Sequence, residues 1–101
     1  MSKVSVIAKL EVKPGMGDKF IDQWNIFLTH VSENQPDTEH YVLHRLNNAP
    51  DTFYVTEIYK NKAALDAHST SDAMVQFFGK IKDYVKESDI HFLTPVKTVR
   101  I

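Results

Sequence analysis

Residues 39–60, EHYVLHRLNNAPDTFYVTEIYK, decide the fold of this chain. Residues 39–46 form one candidate strand, and residues 52–60 form a second that is rich in aromatic and β-branched side chains, which favour strands. Residues 47–51 between them are typical of a hairpin turn. The segment therefore predicts two antiparallel strands that pair directly with each other.

The segments on either side of this hairpin complete an α+β fold. Apolar residues recur at every second position before the hairpin, which indicates a strand, and at helical spacing in two further segments, while Asn61 is an N-cap candidate for a short helix. The predicted elements outside the hairpin are a strand over residues 3–12, a helix over 18–32, a short helix over 61–68, a longer helix that ends near residue 86 and a strand over 90–100. The order βαββαβ predicts one ferredoxin-like domain over residues 1–101, with a four-stranded antiparallel sheet.

Both faces of the predicted sheet carry apolar side chains. Ile7 lies opposite the main apolar face of the first strand, and Tyr54 and Ile58 lie opposite Phe53 in the third. Two helices cover only one face of four strands, so the second face needs another cover. A symmetric homodimer is the simplest solution, and a monomer with one solvated sheet face is the alternative.

The composition excludes several classes of function. The 101 residues carry a formal charge of −1 without a basic cluster, so we expect no nucleic-acid partner. There is no cysteine, which excludes disulfides, thiolate catalysis and zinc–thiolate sites. The sequence shows neither a signal peptide nor an apolar run near the ~20 residues that cross a bilayer. We therefore expect no membrane partner and a cytoplasmic location.

Several short motifs resemble those of one known family. They are YVLHR at residues 41–45, Pro50, FYVTEIY at 53–59, ALDAH at 64–68 and VKPG at 12–15. As a set they are similar to the antibiotic biosynthesis monooxygenase family, which also includes quinol monooxygenases and autoinducer-processing isomerases. The resemblance covers most of the chain.

The resemblance implies a dimeric α+β barrel in which each subunit holds a pocket between its sheet and helices. It also implies oxidation of electron-rich phenols and quinols by dioxygen with no cofactor. The chain departs from the pattern at Ala73, where many relatives have a second histidine, and at Pro36-Asp37, where Pro-Gly is usual. His68 and Phe78 stand where haem-degrading relatives have tryptophan and histidine, so we do not expect haem breakdown.

Glu57 and His68 are the predicted catalytic residues. Glu57 shares a strand face with apolar and aromatic neighbours, which desolvate a carboxylate, raise its pKa and suit it to proton transfer. His68 ends the short helix, and histidine is the side chain best matched to proton transfer near neutral pH. The alternatives are a structural glutamate hydrogen-bonded to the backbone or to a helix partner, and a histidine that satisfies the following turn.

Four other side chains are predicted to bind substrate: Tyr59, Trp24, His44 and Phe78. Tyr59 offers a hydroxyl to a phenolate or carbonyl oxygen, and Trp24 offers a flat ring for stacking, although a core role is the alternative for Trp24. His44 is included because it matches the family motif. Phe78 is included because we expect it to form part of the pocket wall. The five histidines lack a close helical pair, so we predict no metal.

The sequence therefore predicts a cofactor-independent monooxygenase that oxidises a small quinol or polyketide-type phenol with dioxygen. One alternative is an isomerase or tautomerase of a small keto compound, with or without a phosphate group, that uses the same acid–base pair without oxygen. Another is a non-catalytic, stress-associated dimer that binds a ligand. The expected partners are a small aromatic or keto substrate and a second copy of the chain.

Overall fold

Seven elements follow one another along residues 2–97 and 99, the part of the chain that the computed structural model describes. They are β1 (Val4–Val12), α1 (Gly17–Asn34), β2 (Thr38–Leu46), β3 (Ala49–Tyr59), α2 (Lys62–Ser69), α3 (Asp72–Ile81) and β4 (Val85–Leu93). The strands form a four-stranded antiparallel sheet in the order β2-β3-β1-β4. The predicted βαββαβ order is confirmed, with its second helical segment divided into α2 and α3.

The core lies between one face of the sheet and the helices. In β3, Phe53, Val55 and Tyr59 point to this side and are at most 2% exposed, as period-two alternation requires. The buried hydrophobic side chains of the core are Val6, Ala8, Val12, Phe20, Trp24, Phe27, Val31, Phe53, Val55, Tyr59, Phe77 and Ile81. The aromatic stripe of α1 supplies the largest rings, so the helix is held mainly by burial of its apolar face.

A carboxylate from β3 caps the start of α1. The Gly15 and Gly17 N–H groups each donate to the Asp51 carboxylate at 3.0 Å, where no side chain at the helix's own N-cap does so. Gly15 has a φ of +81°, which favours glycine, and a Cβ at Gly17 would lie 2.5 Å from the Pro50 carbonyl oxygen. The Pro-Gly turn before α1 therefore packs tightly against Pro50 and Asp51 at the start of β3, and this contact forms a joint between the two segments.

Arg45 strengthens this joint from β2. Its Nε donates to the Pro50 carbonyl oxygen at 2.9 Å, and its Nη2 donates to Asp18 at 3.0 Å. The guanidinium also lies 5.2 Å from the centre of the Phe53 ring. The YVLHR motif thus contributes an arginine to the architecture of the fold.

The end of the chain differs from the prediction. The last helix ends at Ile81 rather than near residue 86, and β4 occupies Val85–Leu93 rather than residues 90–100. The Tyr84 carbonyl accepts the Lys13 N–H at 2.8 Å, and Val85 pairs with Val12, so the chain joins the sheet directly after the helix. Pro95 follows this strand instead of interrupting it. Part of the predicted strand, at residues 98 and 100, lies outside the described residues.

The hairpin turn is shorter than predicted. Leu46 pairs with Ala49, so only Asn47 and Asn48 separate β2 from β3, and residues 49–51 belong to the strand. Two-residue connections favour asparagine because it tolerates turn conformations. The predicted proline turn is therefore the start of β3.

No helix within residues 2–97 and 99 has the length and apolar character needed to cross a bilayer.

We expect Gly17→Ala to destabilise the fold by ~1–3 kcal/mol, because the new Cβ collides with the Pro50 carbonyl oxygen. Gly79→Ala is the matched control, since among the described residues no heavy atom beyond the adjacent backbone of its own helix lies within 4 Å of the added Cβ, and alanine is favoured by ~0.5–1 kcal/mol within a helix. Urea unfolding at neutral pH measures both free energies. Equal unfolding midpoints for the two variants would contradict the proposed joint.

Candidate functional site

A cavity of about 440 Å³ opens between the helix-facing side of the sheet and helices α2 and α3. All four strands and all three helices contribute to its wall, which is predominantly apolar and aromatic. The polar side chains on the wall are Tyr41, Glu57, His68, Ser69, Lys82 and Ser88. An apolar cavity with a few polar groups has the character of a small-molecule site.

Glu57 stands on this wall as the acidic group that β3 directs toward the helices. The Tyr59 hydroxyl donates to Glu57 Oε1 at 2.5 Å. Burial raises the pKa of Glu57 above its ordinary value, and the hydrogen bond from Tyr59 lowers the pKa by less. The result is a carboxylate that binds a proton more tightly than one in water, as a general base requires.

His68 lies at the end of α2 and is only 3% exposed. Its Nδ1 is 2.7 Å from Gln35 Oε1. Burial, with a smaller contribution from the charge of His30, lowers the pKa of His68 to about 4. The imidazole is therefore neutral at neutral pH and is a hydrogen-bonding group rather than a charged one.

Tyr41 joins these two groups on the cavity wall. It pairs with Glu57 across the β2–β3 ladder, and its ring centre lies 4.9 Å from that of His68. Its ring also stacks on Trp24, with centres 5.0 Å apart and planes 11° apart. Burial, and then the charge of Glu57, raise the pKa of Tyr41, so its hydroxyl keeps its proton.

The structure brings most of the predicted site residues to one place. Glu57, His68, Trp24 and Phe78 all line the cavity. Phe78 is 56% exposed and lies at the cavity's open side. Tyr59 is fully buried behind Glu57 and is absent from the wall, so it contacts the carboxylate rather than a substrate.

His44 is separated from this cavity, contrary to its predicted place among the substrate-binding residues. Alternation along β2 directs it to the opposite sheet face, where His40 and His44 contact the Thr56 hydroxyl at 2.9 Å and 3.0 Å. Period-two geometry sends Tyr41 to the cavity and His44 away from it. Within residues 2–97 and 99, no three histidine or carboxylate side chains cluster as metal ligands do.

Sequence reasoning missed Tyr41 on the cavity wall and Gln35, the partner of His68. Tyr41 was identifiable from strand register, since it lies opposite Glu57 once the hairpin is correctly aligned. Gln35 reaches His68 from the end of α1, across 33 positions of sequence, and no local pattern signals that contact.

Comparison with known proteins identifies the family. The model for the antibiotic biosynthesis monooxygenase family matches residues 3–80, so the chain belongs to this family. No match to a curated protein was found.

Solved structures support the same fold. A candidate antibiotic biosynthesis monooxygenase from Caulobacter crescentus CB15 superposes with a TM-score of 0.90 at 23% identity, over 95% of this chain and 92% of that one. A Pseudomonas aeruginosa protein gives 0.85 at 18% identity, covering 96% and 97% of the two chains. A conserved protein from Methanosarcina mazei Go1 gives 0.82 at 22% identity, covering 92% of each.

The lowered pKa of His68 predicts a pH dependence of stability. Between its ordinary pKa of 6.5 and the folded value of about 4, the unfolded chain binds a proton that the folded chain does not. Stability from this group is complete above pH 6.5 and falls by ~3 kcal/mol as the pH drops to 4. Urea unfolding across this range should show a shallower pH dependence in His68→Gln.

His91→Gln is the matched control, because the His91 side chain is exposed and its hydrogen-bonding partner is the exposed Asp89. This variant is expected to keep the slope of the unmodified protein. Parallel stability curves for the unmodified protein and His68→Gln would contradict the buried, neutral imidazole.

Proposed function

We propose that the protein is a monooxygenase that oxidises a small quinol or polyketide-type phenol with dioxygen and without a cofactor. The observation that carries this proposal is the desolvated Glu57 carboxylate on the wall of an aromatic cavity. An aromatic substrate fits such a wall, and a carboxylate with a raised pKa suits removal of a phenolic proton. Membership of the antibiotic biosynthesis monooxygenase family supports monooxygenase activity in general, and the substrate class is part of the proposal.

In the proposed mechanism, Glu57 takes the proton from a substrate hydroxyl. The resulting anion passes one electron to dioxygen, and the substrate radical and superoxide combine to form a carbon–oxygen bond. The ring carbon then loses its proton, the oxygen–oxygen bond breaks and water leaves. One oxygen atom stays on the substrate and the other becomes water, so a quinol with a free ring C–H becomes a hydroxyquinone.

The protein contributes position, desolvation and proton transfer to this reaction. Tyr59 holds the Glu57 carboxylate in place, so the base is oriented before substrate arrives. His68 offers a neutral imidazole on the same wall for a second substrate oxygen. The apolar lining of the cavity keeps water from competing for the anion.

A keto isomerase or tautomerase is the second candidate. Lys82 is the one lysine among the described residues that line the cavity, and a cation there favours an anionic or phosphorylated keto substrate. Proton abstraction by Glu57 would serve this reaction equally, without oxygen. The predominantly apolar wall favours the first candidate.

We expect Glu57→Gln to lower quinol turnover by ~10²–10⁴-fold, because the amide cannot accept the phenolic proton. Glu33→Gln on the exposed end of α1 is the matched control and should leave turnover unchanged. An oxygen electrode and a panel of quinols measure the rates. Equal conversion with and without oxygen would favour the isomerase, and no conversion in either condition would favour a binding protein.

We also propose that the protein is a homodimer, joined through the sheet face that the helices leave uncovered. That face carries Ile7, Val42, Tyr54 and Ile58, all partly exposed in a single chain. Sedimentation at micromolar concentration is expected to give twice the 11.6 kDa of one chain. A folded species with the mass of one chain would contradict the dimer.

The cytoplasmic location stays a prediction.

A further inference from the structure

A glutamine at the end of α1 holds the imidazole of His68. The Gln35 backbone N–H donates to the Val31 carbonyl at 3.0 Å and ends the helix, which fixes where its side chain starts. Gln35 Oε1 lies 2.7 Å from His68 Nδ1 and also accepts the Thr38 hydroxyl at 3.2 Å. In this orientation the amide is held by its oxygen atom, while its Nε2 is buried and has no hydrogen-bond partner among the described residues.

This contact decides which ring nitrogen carries the proton. A carbonyl oxygen only accepts hydrogen bonds, so with Gln35 Oε1 facing the ring it is Nδ1 that carries the proton and donates. Because burial lowers the pKa of His68 to about 4, the ring has a single proton at neutral pH. The proton on Nδ1 leaves a lone pair on Nε2.

The surroundings of His68 leave Nε2 as its one ring nitrogen free for a ligand. Gln35 occupies Nδ1 and does not line the cavity, whereas His68 does. The titratable groups that face the ring are His30 from α1, Tyr41 from β2, and Tyr59 with its partner Glu57 from β3. No hydrogen bond joins any of them to the imidazole within the described part of the chain.

We propose that Gln35 is a positioning residue that fixes His68 as the Nδ1–H tautomer, so that Nε2 accepts a hydrogen bond from substrate and selects hydroxyl-bearing aromatics over their ethers. The selectivity for hydroxyl-bearing aromatics rests on the proposed function, since it names the substrate group that the same cavity recognises. A keto oxygen cannot donate to Nε2, so the tautomer also disfavours keto compounds at this position.

Nitrogen NMR of ¹⁵N-histidine-labelled protein at pH 8 tests the tautomer without any ligand. The His68 signals are assigned by their loss in His68→Gln. We expect a protonated Nδ1 and an unprotonated Nε2 in the unmodified protein. A protonated Nε2 would overturn the proposal, because it would require the Gln35 amide to be reversed.

Two variants at position 35 separate positioning from packing. Gln35→Glu keeps an acceptor oxygen and is expected to keep the Nδ1–H tautomer. Gln35→Leu fills similar space without an acceptor and is expected to give a mixture of both tautomers. An unchanged tautomer in Gln35→Leu would overturn the role of Gln35. If Gln35→Leu does not fold, loss of the Nδ1–H tautomer in Gln35→Glu overturns that role, and its retention supports it.

Anaerobic binding tests the selectivity. The probes are 1,4-dihydroxynaphthalene and 1,4-dimethoxynaphthalene, and the reporter is the fluorescence of Trp24, the one tryptophan of the chain and a cavity-lining residue. Gln35→Leu is expected to reduce the preference for the diol by about fivefold, equivalent to ~1 kcal/mol. Gln35→Glu should retain the preference. An equal preference in all three proteins, or binding of neither probe, would overturn the selectivity.

The two proposals fail separately. If the diol preference depends on Gln35 but no quinol consumes oxygen, the proposed function fails and the positioning role stands. If quinols consume oxygen while His68 is the Nε2–H tautomer, the positioning role fails and the proposed function stands.

Discussion

The hydrogen bond between Tyr59 and Glu57 holds a largely desolvated carboxyl group on the cavity wall, and the candidate chemistry depends on it. Burial of a carboxylate without a partner is costly, and here one short hydrogen bond offsets part of that cost. The offset is incomplete, since burial still raises the pKa of Glu57. A fully compensated carboxylate would be a weak base, whereas this one keeps affinity for a proton.

The fold divides its side chains between architecture and chemistry. Arg45 and Asp51 tie the hairpin to the start of α1, although both come from the segment that carries the family resemblance. Glu57 and Tyr41 come from the same two strands but face the cavity. The hairpin is thus the common support of the joint and the site, and a change in its register would move both.

Periodicity was enough to predict β1, β3, α1 and the side of β3 that carries Glu57. The same alternation places His44 on the opposite sheet face from Glu57. The family resemblance alone favoured a substrate-binding role for His44. β4 was misplaced because Glu87, Ser88 and Asp89 are polar residues of an exposed edge strand and lack a strand pattern. The contact between Gln35 and His68 depends on how α1 ends against α2, which only the tertiary structure specifies.

The central claim is that Glu57 is a desolvated carboxylate whose proton affinity exceeds that of a carboxylate in water. Carbon NMR of glutamate-labelled protein, with Glu57 assigned by comparison with Glu57→Gln, measures its titration midpoint directly. The account predicts a midpoint above the ordinary 4.5 and a further rise in Tyr59→Phe, which loses the donor. A midpoint at or below 4.5 in the unmodified protein would contradict it.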